Sequence, residues 1–121
     1  MMPKKHRISI LIVEDYASGR AMLCLTLRQA GYKVESASNG TQALELLKRE
    51  HFDWMITDAR MEPMNGFDLA LLAKRLYPDL RILMMSADYS EENIRDYPIE
   101  MLFCKPVHTE NLLSWLASRI D

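Results

Sequence analysis

The chain is poor in cysteine, in histidine and in long apolar runs, and each shortage removes a class of function. Its two cysteines, Cys24 and Cys104, stand far apart with neither metal-ligand nor redox spacing, which excludes a thiolate metal site or a dithiol centre built on them. Both lie within apolar patterns and read as free thiols acting as small hydrophobes. Three scattered histidines, His6, His51 and His108, form no ligand set. The longest apolar run near the start, Ile8 to Val13, is interrupted by Ser9 and stopped by Glu14. That is too short for a signal-peptide core, and no stretch approaches the roughly 20 residues of a membrane span. A cytoplasmic location with no membrane partner is therefore expected. Positive charge is not in excess either: the net charge is −2, so bulk electrostatics give no reason to expect nucleic-acid binding. The one basic cluster, Lys4-Lys5-His6-Arg7, reads as a solvated leader over residues 1–7. Repeats, low-complexity stretches and linkers are absent.

What is present is enough apolar material for one core. With 121 residues, 49% hydrophobic and 26% charged, the chain fits a single domain over residues 8–121. Strand-like and helix-like segments alternate along it. Ile8–Val13, Lys33–Ser38, Phe52–Thr57, Arg81–Met85 and Met101–Cys104 read as strands, the first as a continuous run covered on both faces. Between them, Ala17–Ala30 reads as a helix with Met22, Leu23, Thr26, Leu27 and Ala30 inward and Gly31 as its stop. Asn39-Gly40 makes a turn into a second helix, Thr41–Glu50, with Ala43, Leu44 and Leu47 inward. A third covers Phe67–Leu76, closed by Pro78. The polar segment Asp88–Tyr97 carries a short helix, and Thr109–Arg119 a last one burying Leu112, Leu113, Leu116 and Trp115. Such alternation predicts an α/β fold: a doubly wound, five-stranded parallel sheet with helices on both faces. The last helix runs almost to the end of the sequence, so no output domain is expected within this chain.

In open parallel sheets, ligands bind at the carboxyl ends of the strands, where strand order reverses. Here the first strand ends in Glu14-Asp15, the third in Asp58, the fourth in Ser86 and the fifth in Lys105. Taken singly, these are ordinary loop acids, a turn hydroxyl and a surface lysine. Jointly they place three carboxylates, a hydroxyl and an ammonium on one edge. Crowded carboxylates repel and raise one another's pKa, and a hard divalent cation relieves that repulsion. Mg²⁺ suits such a site, since it takes one or two carboxylates, a carbonyl and several waters.

From about Ile8 to Ile120 the chain resembles the receiver domains of two-component response regulators. The resemblance rests on Glu14-Asp15, on Asp58 within Thr57-Asp58-Ala59-Arg60-Met61, on Met64-Asn65-Gly66, on Ser86-Ala87 and on Lys105-Pro106. It implies a flavodoxin-like sheet of order 2-1-3-4-5. It also implies that Asp58 accepts a phosphoryl group from a phosphohistidine on a sensor histidine kinase or histidine phosphotransfer protein. By the same resemblance, Asp15, Asp58 and the backbone carbonyl of Arg60 would ligate Mg²⁺, with Glu14 acting through a bound water. Lys105 would pair with a phosphoryl oxygen, Ser86 would donate to another, and the small Ala87 would leave room for the group. Drawing Ser86 inward would alter the face formed by the segment after the fourth strand, the fifth strand and the last helix, and so the binding of an unidentified downstream target. The protein would then be a phosphoacceptor that assists its own transfer and dephosphorylation rather than an enzyme, either free-standing or part of a hybrid kinase or larger regulator.

The sequence departs from the family pattern at three places. Glu62 stands where proline is common, with Pro63 following; Leu102 replaces the usual aromatic switch residue, with Phe103 facing the other way; and the stretch from Ser86 to Lys105 is short, which predicts a reduced helix there. Arg60 and Glu62 flank the pocket and are expected to influence phosphoryl lifetime, or else to pair with each other. Cys24, Leu25 and Arg28 are placed on the outward face of the first helix, where a phosphodonor would dock. Leu71, Leu72, Met84 and Met85 read as core. Two other functions are tested against the residues. An aspartyl-phosphate phosphatase of the haloacid-dehalogenase kind needs a second acid two residues after its nucleophile, where this chain has Arg60. A nucleotide or flavin protein needs a glycine-rich loop after the first strand, where this chain has Glu14-Asp15-Tyr16-Ala17-Ser18-Gly19.

Overall fold

A computed structural model of the chain describes residues 7–119. Most of the expected leader, and the last two residues of the expected domain, lie outside them. Five strands, β1 (Ser9–Val13), β2 (Lys33–Ala37), β3 (Trp54–Asp58), β4 (Arg81–Ser86) and β5 (Met101–Cys104), pair in parallel in the order β2-β1-β3-β4-β5. Helices α1 (Ala17–Gln29), α2 (Gly40–Arg49), α3 (Gly66–Leu76) and α4 (Thr109–Arg119) connect or follow them. The expected doubly wound sheet and its order are both present.

The near-continuous apolar strands hide a period of two. Leu11 and Val13 of β1 pack with Met55, Ile82, Met84 and Leu102 against Ala43, Leu47, Leu69 and Ala73 of α2 and α3. Ile10 and Ile12 pack with Trp54, Ile56, Leu83 and Met85 against Leu23, Leu27, Leu112 and Leu116 of α1 and α4. Alternate residues thus serve two cores, one on each face, and no position in β1, β3 or the last five residues of β4 is left for water. Each large aliphatic side chain so buried contributes about 1.5–3 kcal/mol.

Local chemistry sets the helix ends. Gly31, at φ 102°, closes α1; Tyr32 N–H donates to the Leu27 carbonyl and Gly31 N–H to that of Arg28, the paired bonds of a Schellman stop. Asn39 caps α2 by accepting from Gln42 N–H at 2.9 Å, so the helix begins at Gly40 rather than after a turn. Asn65 caps α3 in the same way, accepting from Asp68 N–H at 2.9 Å. Asn65→Ala is expected to cost about 1 kcal/mol, read as a lower denaturant midpoint with an unchanged slope.

Three expectations about burial need correction. Met22 is 60% exposed and Ala30 is exposed, whereas Cys24, placed outward from the sequence, is buried beside Leu23 and Leu27. The inward stripe of α1 keeps Leu23 and Leu27 but is turned toward Cys24 and away from Met22 and Ala30. Leu71 is exposed and Leu72 half-buried, because Leu69, Ala70 and Ala73 make the contact of α3 with the sheet. Met84 and Met85 are fully buried, as expected. Between β4 and β5 there is only a four-residue 3₁₀ turn, Glu91–Ile94, in keeping with the short segment.

Candidate functional site

Parallel pairing brings the carboxyl ends of β1, β3, β4 and β5 to one edge, and backbone bonds carry the register past the strand ends. Glu14 N–H donates to the Ala37 carbonyl, Ala59 N–H to that of Met85, and Lys105 N–H to that of Ser86. The side chains at these ends are therefore held on a rigid frame. Asp58 and Ser86 are the final residues of β3 and β4, which each run one position beyond the sequence-based C-terminal boundaries at Thr57 and Met85.

Carboxylate oxygens of Glu14, Asp15 and Asp58 all lie within 4.8 Å of one another. Lys105 Nζ donates to Glu14 Oε1 at 2.8 Å and lies 3.0 Å from Asp58 Oδ2. Glu14 and Asp58 are buried and Asp15 is exposed, so the cluster opens to solvent on one side. Ser86 is buried at the end of β4, next to Met85, the register partner of Asp58, and exposed Ala87 leads to the next loop. Thus the three predicted acids and the predicted lysine meet in one place. Leu102 turns into the core with Ile94 and Ile99, while Phe103 packs on the opposite face near Trp115.

The charge balance is unsatisfied. Glu14 Oε2 is buried, and among the described residues no group donates to it. Burial and the adjacent Asp58 carboxyl push the Glu14 carboxyl above the usual range, with Lys105 opposing them. Burial alone would lower the Lys105 ammonium, but its bonds to Glu14 and Asp58 outweigh that and raise it. A site with one cation for three acids and an orphaned oxygen fits a divalent ion by its donor set. The sign of the pH effect follows. A carboxyl held above its unfolded value binds its proton more tightly when folded, so the metal-free protein gains stability as pH falls through that raised value. Lys105 works in the alkaline range, where its contribution is lost as pH rises through its raised pKa. Glu14→Gln, which carries no charge to repel Asp58, is expected to melt higher than wild type at neutral pH in chelator. The difference should shrink on mild acidification, and an equal or lower midpoint at neutral pH would contradict it.

Some residues at the site were not found from sequence. Arg60 pairs with Asp88, Nε to Oδ2 at 2.6 Å, and not with Glu62. Its guanidinium lies over the Tyr89 ring, 5.6 Å from the centroid. Asp15, Arg60, Glu62, Asn65 and Tyr89 line an open cavity of about 510 Å³ beside the acids. No linear signal joins residue 60 to residues 88 and 89; only the pairing of β3 with β4 does. On the other side of Lys105, a mainly apolar groove of about 530 Å³ runs along α1, lined by Tyr16, Met22, Ala87, Pro106 and Val107. Tyr16 and Met22 are exposed there and Leu25 is exposed further along the helix, so α1 does present apolar residues to solvent, though not Cys24. No helix among the described residues is long and apolar enough to cross a membrane.

Comparison with known proteins bears on this geometry. A family model described as the response regulator receiver domain matches residues 10–117. The response regulator receiver protein CpdR of Brucella abortus is 34% identical over 108 residues, which cover 87% of this chain and 90% of CpdR. A solved structure of the chemotaxis protein CheY4 of Vibrio cholerae superposes with a TM-score of 0.89 at 31% identity, covering 95% of this chain and 100% of that one. The autoinducer 1 sensor kinase/phosphatase LuxN of Vibrio campbellii is 35% identical over 86 residues, or 71% of this chain, yet the matched part is only 10% of LuxN.

Proposed function

This chain belongs to the response regulator receiver family and is a receiver domain of two-component signalling, and from that premise we propose that Asp58 is its phosphoacceptor. The observation that carries the reading is the meeting of three carboxylates within 4.8 Å, with the Lys105 ammonium set between Glu14 and Asp58. An Asp58 oxygen attacks phosphorus in line; the new P–O bond forms as the P–N bond of a partner's phosphohistidine breaks, and the imidazole leaves with the electron pair. Lys105, already 3.0 Å from Asp58 Oδ2, is placed to neutralise a phosphoryl oxygen as a point charge. Ser86 supplies a hydroxyl to a second oxygen, and Ala87 brings no side-chain bulk against it.

Asp15, Asp58 and the Arg60 carbonyl would hold Mg²⁺, with Glu14 behind a bound water. The ion, when bound, supplies positive charge against the transferring group. Glu14 then has a second task, since its Oε1 fixes the Lys105 ammonium beside Asp58.

The donor is proposed to be a sensor histidine kinase or a histidine phosphotransfer protein, docking on the exposed apolar face of α1. The cytoplasm is the proposed location, and the chain acts as a phosphoacceptor rather than as a turnover enzyme. Coupling of about 1–3 kcal/mol between phosphorylation and partner binding is typical of such switches and would suffice here. Incubation with acetyl phosphate and Mg²⁺ followed by intact mass tests the reading. One phosphoryl adduct is expected, and none when the metal is chelated beforehand. An unmodified mass in the presence of Mg²⁺ would refute it.

A further inference from the structure

The loops after β3 and β4 are tied together across the mouth of the site. Arg60 Nε is 2.6 Å from Asp88 Oδ2, and the guanidinium rests on Tyr89. Tyr89 in turn meets Phe67 of α3 edge-on, with centroids 5.1 Å apart. On the inner side of the same loop, Asp88 N–H donates to Ser86 Oγ at 3.0 Å. One residue therefore holds Arg60 by its side chain and the buried Ser86 hydroxyl by its backbone.

We propose that the Arg60–Asp88 ion pair is a latch that keeps the loop after β4, and with it the Ser86 hydroxyl, in the unphosphorylated arrangement. The inference rests on reading Asp58 as the phosphoacceptor and Ser86 as a donor to the phosphoryl group. For Ser86 to turn toward Asp58, the Asp88 amide that engages its oxygen must move, and the Arg60 side chain opposes that movement. Arg60 and Asp88 act here through Ser86 and are positioning residues. Their exposure suits the task. The side chains are 68% and 51% exposed, so the pair is weak enough to yield to a doubly charged group nearby. A buried, fully desolvated pair would lock the loop instead of biasing it. The stacking of Tyr89 on Arg60 and Phe67 links the latch to α3, so release also loosens a contact outside the site.

The test is titration of the full chain with beryllofluoride, a phosphoryl stand-in, at saturating Mg²⁺ and with Mg²⁺ affinity measured separately. Asp88→Ala and Arg60→Ala are each expected to tighten beryllofluoride about two- to fivefold, the range an exposed ion pair commands. The double variant should be no tighter than either single one. Raising ionic strength should bring wild type toward the variants. Simple charge effects predict opposite signs for the two changes, since losing the Arg60 cation weakens the binding of an anion. Weaker binding in Arg60→Ala, or unchanged binding in Asp88→Ala, therefore overturns the latch while leaving Asp58 as acceptor. Failure of wild type and both variants to bind beryllofluoride overturns the phosphoacceptor reading, and the latch with it.

Discussion

Asp58→Asn is expected to abolish phosphoryl uptake completely while leaving the fold intact. The amide keeps the shape of the carboxyl but offers no anionic oxygen to attack phosphorus, so the loss is all-or-none rather than graded. Folding should survive, because the substitution removes one charge from a crowded buried set. Lys105 keeps its bond to Glu14 at 2.8 Å, and Glu14 loses a repelling neighbour. Intact mass after acetyl phosphate and Mg²⁺ should show no adduct in the variant, beside one in wild type. Circular dichroism should be superimposable, and Mg²⁺ should bind more weakly. A phosphoryl adduct on the variant would move the acceptor elsewhere and end this assignment.

Gly66→Ala is expected to damage both stability and chemistry, and for a reason unconnected with glycine's flexibility. A Cβ at Gly66 would overlap the backbone carbonyl oxygen of Asp58 and lie 3.0 Å from Ala59 Cα. Both obstacles are backbone, so neither can swing aside. The approach is close because Gly66 N–H donates to the Ala59 carbonyl at 2.8 Å, docking the start of α3 onto the end of β3. Relief would require moving α3 or the backbone of Asp58 itself. The cost should reach the top of the overpacking range, about 3 kcal/mol or more, from a total that is typically about 5–15. Urea unfolding should show a clearly lower midpoint, and phosphoryl uptake should slow even in the folded fraction. Gly40 offers a contrast. A Cβ there meets the Met64 side chain, Sδ at 3.0 Å and Cβ at 3.2 Å, and a flexible thioether can give way. Gly40→Ala should therefore cost much less, and similar losses at the two positions would show that this steric account is wrong.

The segment between β4 and β5 is reduced and packs through its aromatic residues. Where a longer helix would lie, the 3₁₀ turn Glu91–Ile94 is followed by Tyr97, which packs on Phe67 with centroids 4.8 Å apart. Phe67 also meets Tyr89, so two aromatic contacts join α3 to the segment before β5.

Much of this was legible in the sequence. Apolar runs bounded by polar residues marked the strands, and the acids, serine and lysine at four strand ends marked the edge where chemistry belongs. Both signals are local, since a residue's place at the end of a strand depends on its near neighbours. The inward turn of Cys24, the exposure of Leu71 and the partner of Arg60 were not legible. Which face of a helix is buried depends on the surface it meets, and α1 carries apolar residues at Met22, Leu23, Cys24 and Leu25 with no polar residue among them to choose. Arg60 finds Asp88 only because β3 lies beside β4. The sequence alone determined the α/β alternation and the strand ends that carry the clustered acids, the serine and the lysine. The tertiary structure decided which oxygens touch, which carboxylate oxygen is left without a donor and which loop is tied to which, because those depend on distances between segments remote in the chain.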